Sequence, residues 1–159
     1  MSRIYEVTVE AGQDIKGVIT DYVLKQGWTS VYISGAVGSV IDMAYTTPVR
    51  DELPLKTVSR ARAGAAEMLS FTGEVMTRER MDPALESIYP DKECPLFVHI
   101  HVSCAYNSGE SQTLRSGECC GESPSLRSGE CCGNVYGGGL AAGKAFRSLR
   151  VFMIPLENE

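Results

Sequence analysis

The segment at residues 95–105, PLFVHIHVSCA, constrains the fold more than any other part of the chain. Its apolar residues recur at every second position, which is the period of an extended strand with one face against a core. A strand needs partners for its backbone groups, so the chain must fold around a β-sheet. Leu96, Val98, Ile100 and Val102 fall on one face, and Phe97, His99 and His101 fall on the other.

The clearest helix lies between Asp14 and Gly27. Its apolar residues recur at helical spacing and form a single stripe that would face a core. Asp14 lies near the positive end of the helix dipole, and glycine is typical of the position after a helix ends. The stripe consists of Ile15, Val18, Ile19, Tyr22 and Val23.

Four other segments predict strands. Residues 3–9 and 66–76 alternate apolar and polar side chains, and residues 147–156 are rich in apolar and β-branched ones. Residues 28–45 predict two strands joined around Gly35 and Gly38, whose glycines indicate a tight turn or a close backbone approach. Residues 46–56 predict a loop, and residues 82–89 predict one short helix. Together these elements predict a single α+β domain over residues 1–159, with an early helix packed on a mainly antiparallel sheet.

Composition narrows the function classes. The net charge of −5 argues against a protein that holds phosphate backbones by bulk electrostatics. No segment approaches the roughly 20 apolar residues of a membrane helix, and no signal peptide is evident, so we expect a cytoplasmic protein with no membrane partner. Four of the six cysteines form two adjacent pairs, which is a poor framework for disulfides and favours a reducing compartment.

Residues 107–133 depart from the rest of the chain in composition. The sequence LRSGECCG occurs at 114–121 and again at 126–133, and serine, glycine, glutamate and cysteine dominate the segment. Two copies are too few for a solenoid, so we expect an inserted surface loop. The alternatives are a thiolate metal site or a redox role for the paired cysteines.

Two features resemble catalytic motifs, but each lacks a residue or an element that the chemistry needs. Residues 138–145, GGLAAGKA, nearly match a phosphate-binding loop, but Ala145 replaces the hydroxyl that would bind Mg²⁺. The residues that follow indicate a strand, whereas such a loop must open a helix. Cys104 has no base near it in the pattern except the two histidines, and no nucleophile elbow is present.

His99 and His101 are the strongest candidates for a site. Histidines at i and i+2 of a strand project from the same face, close enough to bind one metal ion. The alternative is a pair of polar side chains on a solvated or subunit-facing surface.

Three stretches, taken in order, resemble the PPC (also written PCC) domain, named for its presence in plants and prokaryotes. They are residues 34–38, SGAVG; residues 68–73, MLSFTG; and residues 98–102, VHIHV, followed by VYGGGL at 135–140. The resemblance covers nearly the whole chain except residues 107–133. It implies a helix packed on a mainly antiparallel sheet and assembly as a homotrimer.

The resemblance also implies a metal site, which this chain matches in part. Bacterial and archaeal members hold a metal with a His-x-His pair and the histidine of Gly-Gly-His-Leu. His99 and His101 match the pair, but the third position is Gly139, as in plant members, which also have Gly-Gly-Gly here. Cys131 or Cys132 offers a replacement ligand, because Cys-His-His plus water is a sensible zinc site.

Three functions follow as hypotheses. The first is a non-catalytic, trimeric module that binds a small molecule or protein partner. The second is a metal-dependent enzyme with zinc on His99 and His101. The third is DNA binding through a basic patch on the trimer, although the Arg-Gly-Arg-Pro hook of plant members is missing. That patch would consist of Arg60, Arg62, Lys144, Arg147 and Arg150.

Overall fold

A computed structural model describes residues 3–51, 55–86, 88–89, 93–106 and 134–156. Antiparallel strands and one early helix dominate these residues, which confirms the α+β prediction. Short 3₁₀ turns at Arg78–Arg80 and Pro83–Leu85 follow the third strand. The elements are β1 (Tyr5–Glu10), α1 (Ile15–Gln26), β2 (Ser30–Pro48), β3 (Thr57–Thr77), β4 (Leu96–Tyr106) and β5 (Asn134–Pro155).

Helix α1 has both of the predicted ends. The side chain of Asp14 caps the first turn by accepting a hydrogen bond from the Gly17 N–H at 2.6 Å. Gly27 ends the helix in the left-handed conformation, with φ of 70°, where its N–H donates to the Leu24 carbonyl. Ile15, Ile19 and Val23 are fully buried, and Val18 and Tyr22 pack beside them. In the part of the chain that the structure describes, no helix is long and apolar enough to cross a membrane.

The sheet closes on itself through β4. The strand order is β1-β5-β2-β3-β4, all neighbours are antiparallel, and β4 also pairs with the first part of β5. Strands β2 to β5 therefore form a closed ring of pairings around the core, and α1 packs against β1, β4 and β5. The same closure sets His101 between Thr72 of β3 and Gly139 of β5.

The prediction of two strands within residues 28–45 is wrong. Strand β2 is continuous, and the register with β5 shifts near Gly35 and Gly38 instead of reversing at a turn. Gly38 has φ of 143° and lies against the backbone of Ser148, so the glycine serves the close approach that the pattern also allowed. Such bulges bend and twist a strand, which lets β2 curve around the core.

Other boundaries also differ from the predictions. β3 starts at Thr57, nine residues before the predicted start, and β5 starts at Asn134, thirteen residues before residue 147. Part of the predicted 46–56 loop belongs to β2, and the predicted 82–89 helix is reduced to a 3₁₀ turn at Pro83–Leu85. Residues 138–145 lie inside β5, which confirms that they form no phosphate-binding loop. The expected insertion at 107–133 lies outside the described residues.

Strand β4 confirms the predicted alternation with one informative exception. The predicted inner face is buried, while His99 is half-buried and His101 is exposed. Phe97 shares the histidine side of the strand, yet only 1% of it is exposed. The ring of Tyr89 covers it edge-on, with the two ring centroids 4.8 Å apart.

Gly73 and Gly139 provide a matched test of this packing. A Cβ at Gly73 would lie 2.7 Å from the Ile100 Cα, whereas at Gly139 the nearest atom would be the Thr46 carbonyl oxygen at 3.6 Å. We expect Gly73→Ala to lower the free energy of unfolding by about 2 kcal/mol, because the backbones of β3 and β4 must separate. Gly139→Ala should change it by less than about 0.5 kcal/mol. Urea unfolding of both variants checks this, and equal losses would contradict the strand packing.

Candidate functional site at the histidine pair

The candidate site lies on the outer face of the sheet, where β3, β4 and β5 are neighbours. His99 is opposite Glu74 of β3, and His101 is opposite Thr72 of β3 and Gly139 of β5. Because β4 is extended, both imidazoles leave the same side of the strand. The structure therefore brings together the two histidines and the Gly139 position.

The two imidazoles are in direct contact. Their Nε2 atoms are 2.9 Å apart, and the ring centroids are 4.8 Å apart. On the other side of His99, Glu74 Oε1 lies 3.6 Å from Nδ1. A carboxylate beside Nδ1 favours a proton there and leaves Nε2 as the nitrogen that faces His101. Glu74 is the site residue that the sequence analysis missed; it lies at a polar position of the alternating 66–76 segment.

Electrostatics disfavour protonation of His101. Partial burial of the ring and, secondarily, the neighbouring His99 lower the pKa of His101 below its ordinary value. A hydrogen bond between two Nε2 atoms needs one donor and one acceptor, so two fully protonated rings could not share it. The geometry therefore fits an N–H donor on one ring and an acceptor nitrogen on the other.

The described donors do not fit a zinc centre by themselves. Structural and catalytic zinc sites have at least three protein ligands, and Gly139 supplies none at the third position. Among residues 3–51, 55–86, 88–89, 93–106 and 134–156, no group of three or more histidine, cysteine or acidic side chains is placed to hold a metal. Cys131 and Cys132, the predicted replacement ligands, lie outside these ranges.

The sequence of this chain matches a known family of protein domains. The model of the Plants and Prokaryotes Conserved (PCC) domain matches residues 1–120. The chain belongs to this family. No curated protein matches it.

Several solved structures share the PCC fold of this chain. A plant- and prokaryote-conserved protein from Pyrococcus horikoshii is 20% identical, with a TM-score of 0.64 over 100% of this chain and 84% of its own. A metal-containing protein from Archaeoglobus fulgidus is 21% identical, also with a TM-score of 0.64, over 99% and 81%. A protein from Bacteroides thetaiotaomicron that is proposed to bind DNA is 11% identical, with a TM-score of 0.61 over 100% and 85%. At these identities the likeness establishes the fold alone.

Cys104 of this PCC domain is placed as a core residue. It is fully buried, and its Sγ lies 3.9 Å from the Met68 sulfur. Burial raises the pKa of the Cys104 thiol, so the thiolate that a nucleophile needs is disfavoured. Beside it, the buried hydroxyls of Tyr45 and Tyr106 share a hydrogen bond of 3.0 Å, which satisfies two polar groups inside the core.

The basic side chains of the third hypothesis do not share one strand. Arg60 and Arg62 lie on β3, whereas Lys144, Arg147 and Arg150 lie on β5, and β2 separates the two strands. The Arg62 guanidinium lies over the Tyr136 ring, 3.8 Å from its centroid. Arg150 Nη1 lies 3.9 Å from a carboxylate oxygen of Glu6. Two of the five charges therefore already have partners within the chain.

The contact between the histidines predicts a measurable coupling. We expect the titration midpoint of His101, followed by ring resonances in NMR, to lie below the ordinary value of about 6.5. His99→Gln removes the neighbouring imidazole but leaves the burial, so the midpoint should rise and stay below that value. Lys144→Gln, an exposed substitution on β5, is the control and should leave the midpoint unchanged. A wild-type midpoint at or above about 6.5 would contradict this geometry.

Proposed function

We propose that this PCC-domain protein is a non-catalytic, homotrimeric module that binds a small molecule or a protein partner in a regulatory role. The observation that carries the proposal is Gly139 opposite His101. At the position where a third metal ligand would project, the chain has no side chain. Two histidines without a third donor leave a pair suited to hydrogen bonding instead of Lewis-acid catalysis.

The surroundings of the pair support a binding role. Thr72 donates its hydroxyl hydrogen to the Ile33 carbonyl at 3.1 Å and also lies 3.3 Å from the Tyr32 hydroxyl. The Ser70 and Ser103 hydroxyls share a hydrogen bond of 2.8 Å on the same two strands. Apart from Glu74, this outer face therefore offers uncharged hydroxyl groups beside the histidines, as a recognition surface does.

Exposed apolar side chains support assembly into a homotrimer. Large apolar residues are accessible on the strands of the single chain, and burial in an interface would remove them from water. They include Val58 and Leu69 of β3, which are 39% and 56% exposed, and Val135 and Phe146 of β5, which are 57% and 47% exposed. Light scattering should give three times the chain mass of 17.2 kDa, and a monomer would contradict this part of the proposal.

The runner-up is a metal-dependent enzyme that uses His99 and His101. The glycine at 139 gives it one specific point of support, because no β5 side chain occupies the place opposite His101 that a donor from elsewhere in the chain would take. Cys131 and Cys132 are the candidate donors.

The two described cysteines, Cys94 and Cys104, are both free thiols, which supports the expectation of a reducing, cytoplasmic location.

The zinc content of the wild type and of two variants distinguishes a binding module from a metal-dependent enzyme. Wild-type protein purified without chelator or metal resin should contain far less than one zinc per chain. Gly139→His places an imidazole directly opposite His101, where its Cβ would make only ordinary contacts with Thr46, and should bring zinc close to one per chain. Adding His99→Ala to that variant should remove it.

The opposite pattern would favour the enzyme. Stoichiometric zinc in the wild type, lost when Cys131 and Cys132 are both replaced by serine, would contradict the non-catalytic proposal and identify the missing ligand. Retained zinc in the double serine variant would exclude those two cysteines as ligands. Wild-type protein without zinc, together with a Gly139→His variant that gains it, would support a binding module.

We expect no specific affinity for duplex DNA. The net charge is −5, and the five basic side chains of the proposed patch are divided between β3 and β5, which β2 separates. Phosphate contacts release counterions, so true DNA binding would weaken steeply as salt rises. Fluorescence anisotropy with an A·T-rich duplex at two salt concentrations checks this, and Arg60→Gln combined with Arg62→Gln is the informative variant. Tight, salt-dependent binding that this variant abolishes would restore the DNA hypothesis.

A further inference from the structure

A cleft of about 360 Å³ lies between the first turns of α1 and the chain that enters β4. Its size is in the range of small-molecule sites. Ile88 and Tyr89, both half-buried, give it an apolar lining above the buried Leu96 and Phe97, and Thr20 of α1 adds a hydroxyl. Such a lining removes the body of an apolar ligand from water while a few polar groups set its orientation.

Arg78 gives the cleft a fixed positive group. Its Nη2 donates to the Tyr89 carbonyl at 2.6 Å, and its backbone N–H donates to the Pro95 carbonyl at 3.1 Å. The acceptor of the side-chain bond is neutral, so this contact holds the guanidinium without cancelling its charge. Among the described residues, Lys16 and the acidic Asp21 of α1 also line the cleft. A guanidinium held in place loses little entropy on binding a carboxylate, for which its planar shape is suited.

We propose that this cleft binds a small organic monocarboxylate with an apolar or aromatic body. The carboxylate pairs with Arg78, and the body packs on the half-buried Ile88 and Tyr89. This inference rests on the proposed function, because it names the ligand class of a binding module. It requires neither a metal nor the trimer.

The cleft is connected to the histidine pair by aromatic contacts. The Tyr89 centroid lies 4.8 Å from that of Phe97 and 6.0 Å from that of His99, and the Phe97 and His99 centroids are 5.5 Å apart. A ligand against Tyr89 is therefore separated from His99 by the Tyr89 ring alone. Because an aromatic ligand would alter the ring currents near His99, the His99 resonances should shift when the cleft is occupied.

The test uses phenylacetate and its neutral counterpart phenylacetamide, titrated into the full chain by NMR. A ligand of about ten non-hydrogen atoms should bind with a roughly millimolar dissociation constant. Saturable shifts should centre on the Gly17, Thr20 and Val98 amides and on the His99 ring. Phenylacetamide should bind at least about tenfold more weakly, because it cannot form a charge-assisted pair with Arg78.

Variants of Arg78 test whether this side chain causes the preference for the carboxylate over the amide. Arg78→Gln should remove the preference for phenylacetate over phenylacetamide, and Arg78→Lys should keep part of it, since the charge remains but the planar fork is lost. Arg150→Gln, on β5 and paired with Glu6, is the matched loss of an arginine elsewhere and should change nothing. Shifts that centre on other residues, or equal binding of the two compounds to the wild type, would overturn the proposal.

A second readout avoids dependence on any variant. Cys94 lines the cleft and is a half-buried free thiol. Saturating phenylacetate should slow its alkylation by iodoacetamide several-fold, as measured by peptide mass mapping, which separates Cys94 from the other cysteines. Unchanged alkylation at saturation would count against the site. Failure of both readouts in protein that is trimeric and free of zinc would refute the cleft while the proposed function stands.

Discussion

The pairing of β4 along both of its edges is the constraint on which the rest of the structure depends. Over His101–Tyr106, β4 has β3 on one side and β5 on the other, so its backbone groups are satisfied by two neighbours at once. A strand held on both edges cannot slip by one residue without turning its whole inner face to water. The alternation of residues 95–105 is correspondingly regular. Just before the doubly paired segment, Gly73 lies against the β4 backbone at Ile100, where a Cβ would not fit.

The same closure fixes what the histidine pair can do. Because β4 and β5 are in register, Gly139 and His101 face each other across one pairing, and no local rearrangement can bring another β5 side chain to that point. β5 has no side chain at that point, and the two imidazoles are in contact with each other, with Glu74 beside one of them. The strand pairing thus fixes which residues share this face: the two histidines and Glu74, with a glycine beside them.

Local periodicity was sufficient to predict α1 and β4, since the 3.6-residue and two-residue patterns are properties of neighbouring residues. The bulges of β2 were not predictable, because a glycine pattern allows both a turn and a close approach, and only the register with β5 selects between them. The His99–His101 contact followed from strand geometry, whereas the place of Gly139 followed from resemblance. The Tyr45–Tyr106 hydrogen bond links residues 61 positions apart, and no local pattern encodes it.

Phe97 shows how a failure of the pattern can point to function. It occupies an outward position on β4, where the alternation would expose it, yet it is buried because Tyr89 lies over it. Tyr89 is held there in part by Arg78, whose side chain also reaches the cleft beside α1. Arg78 thus holds the Tyr89 ring over Phe97. Arg78 also lines the cleft beside that ring. An anion that engages Arg78 must act on the same contacts that surround His99, so the cleft and the histidine pair form one physically continuous region of the surface.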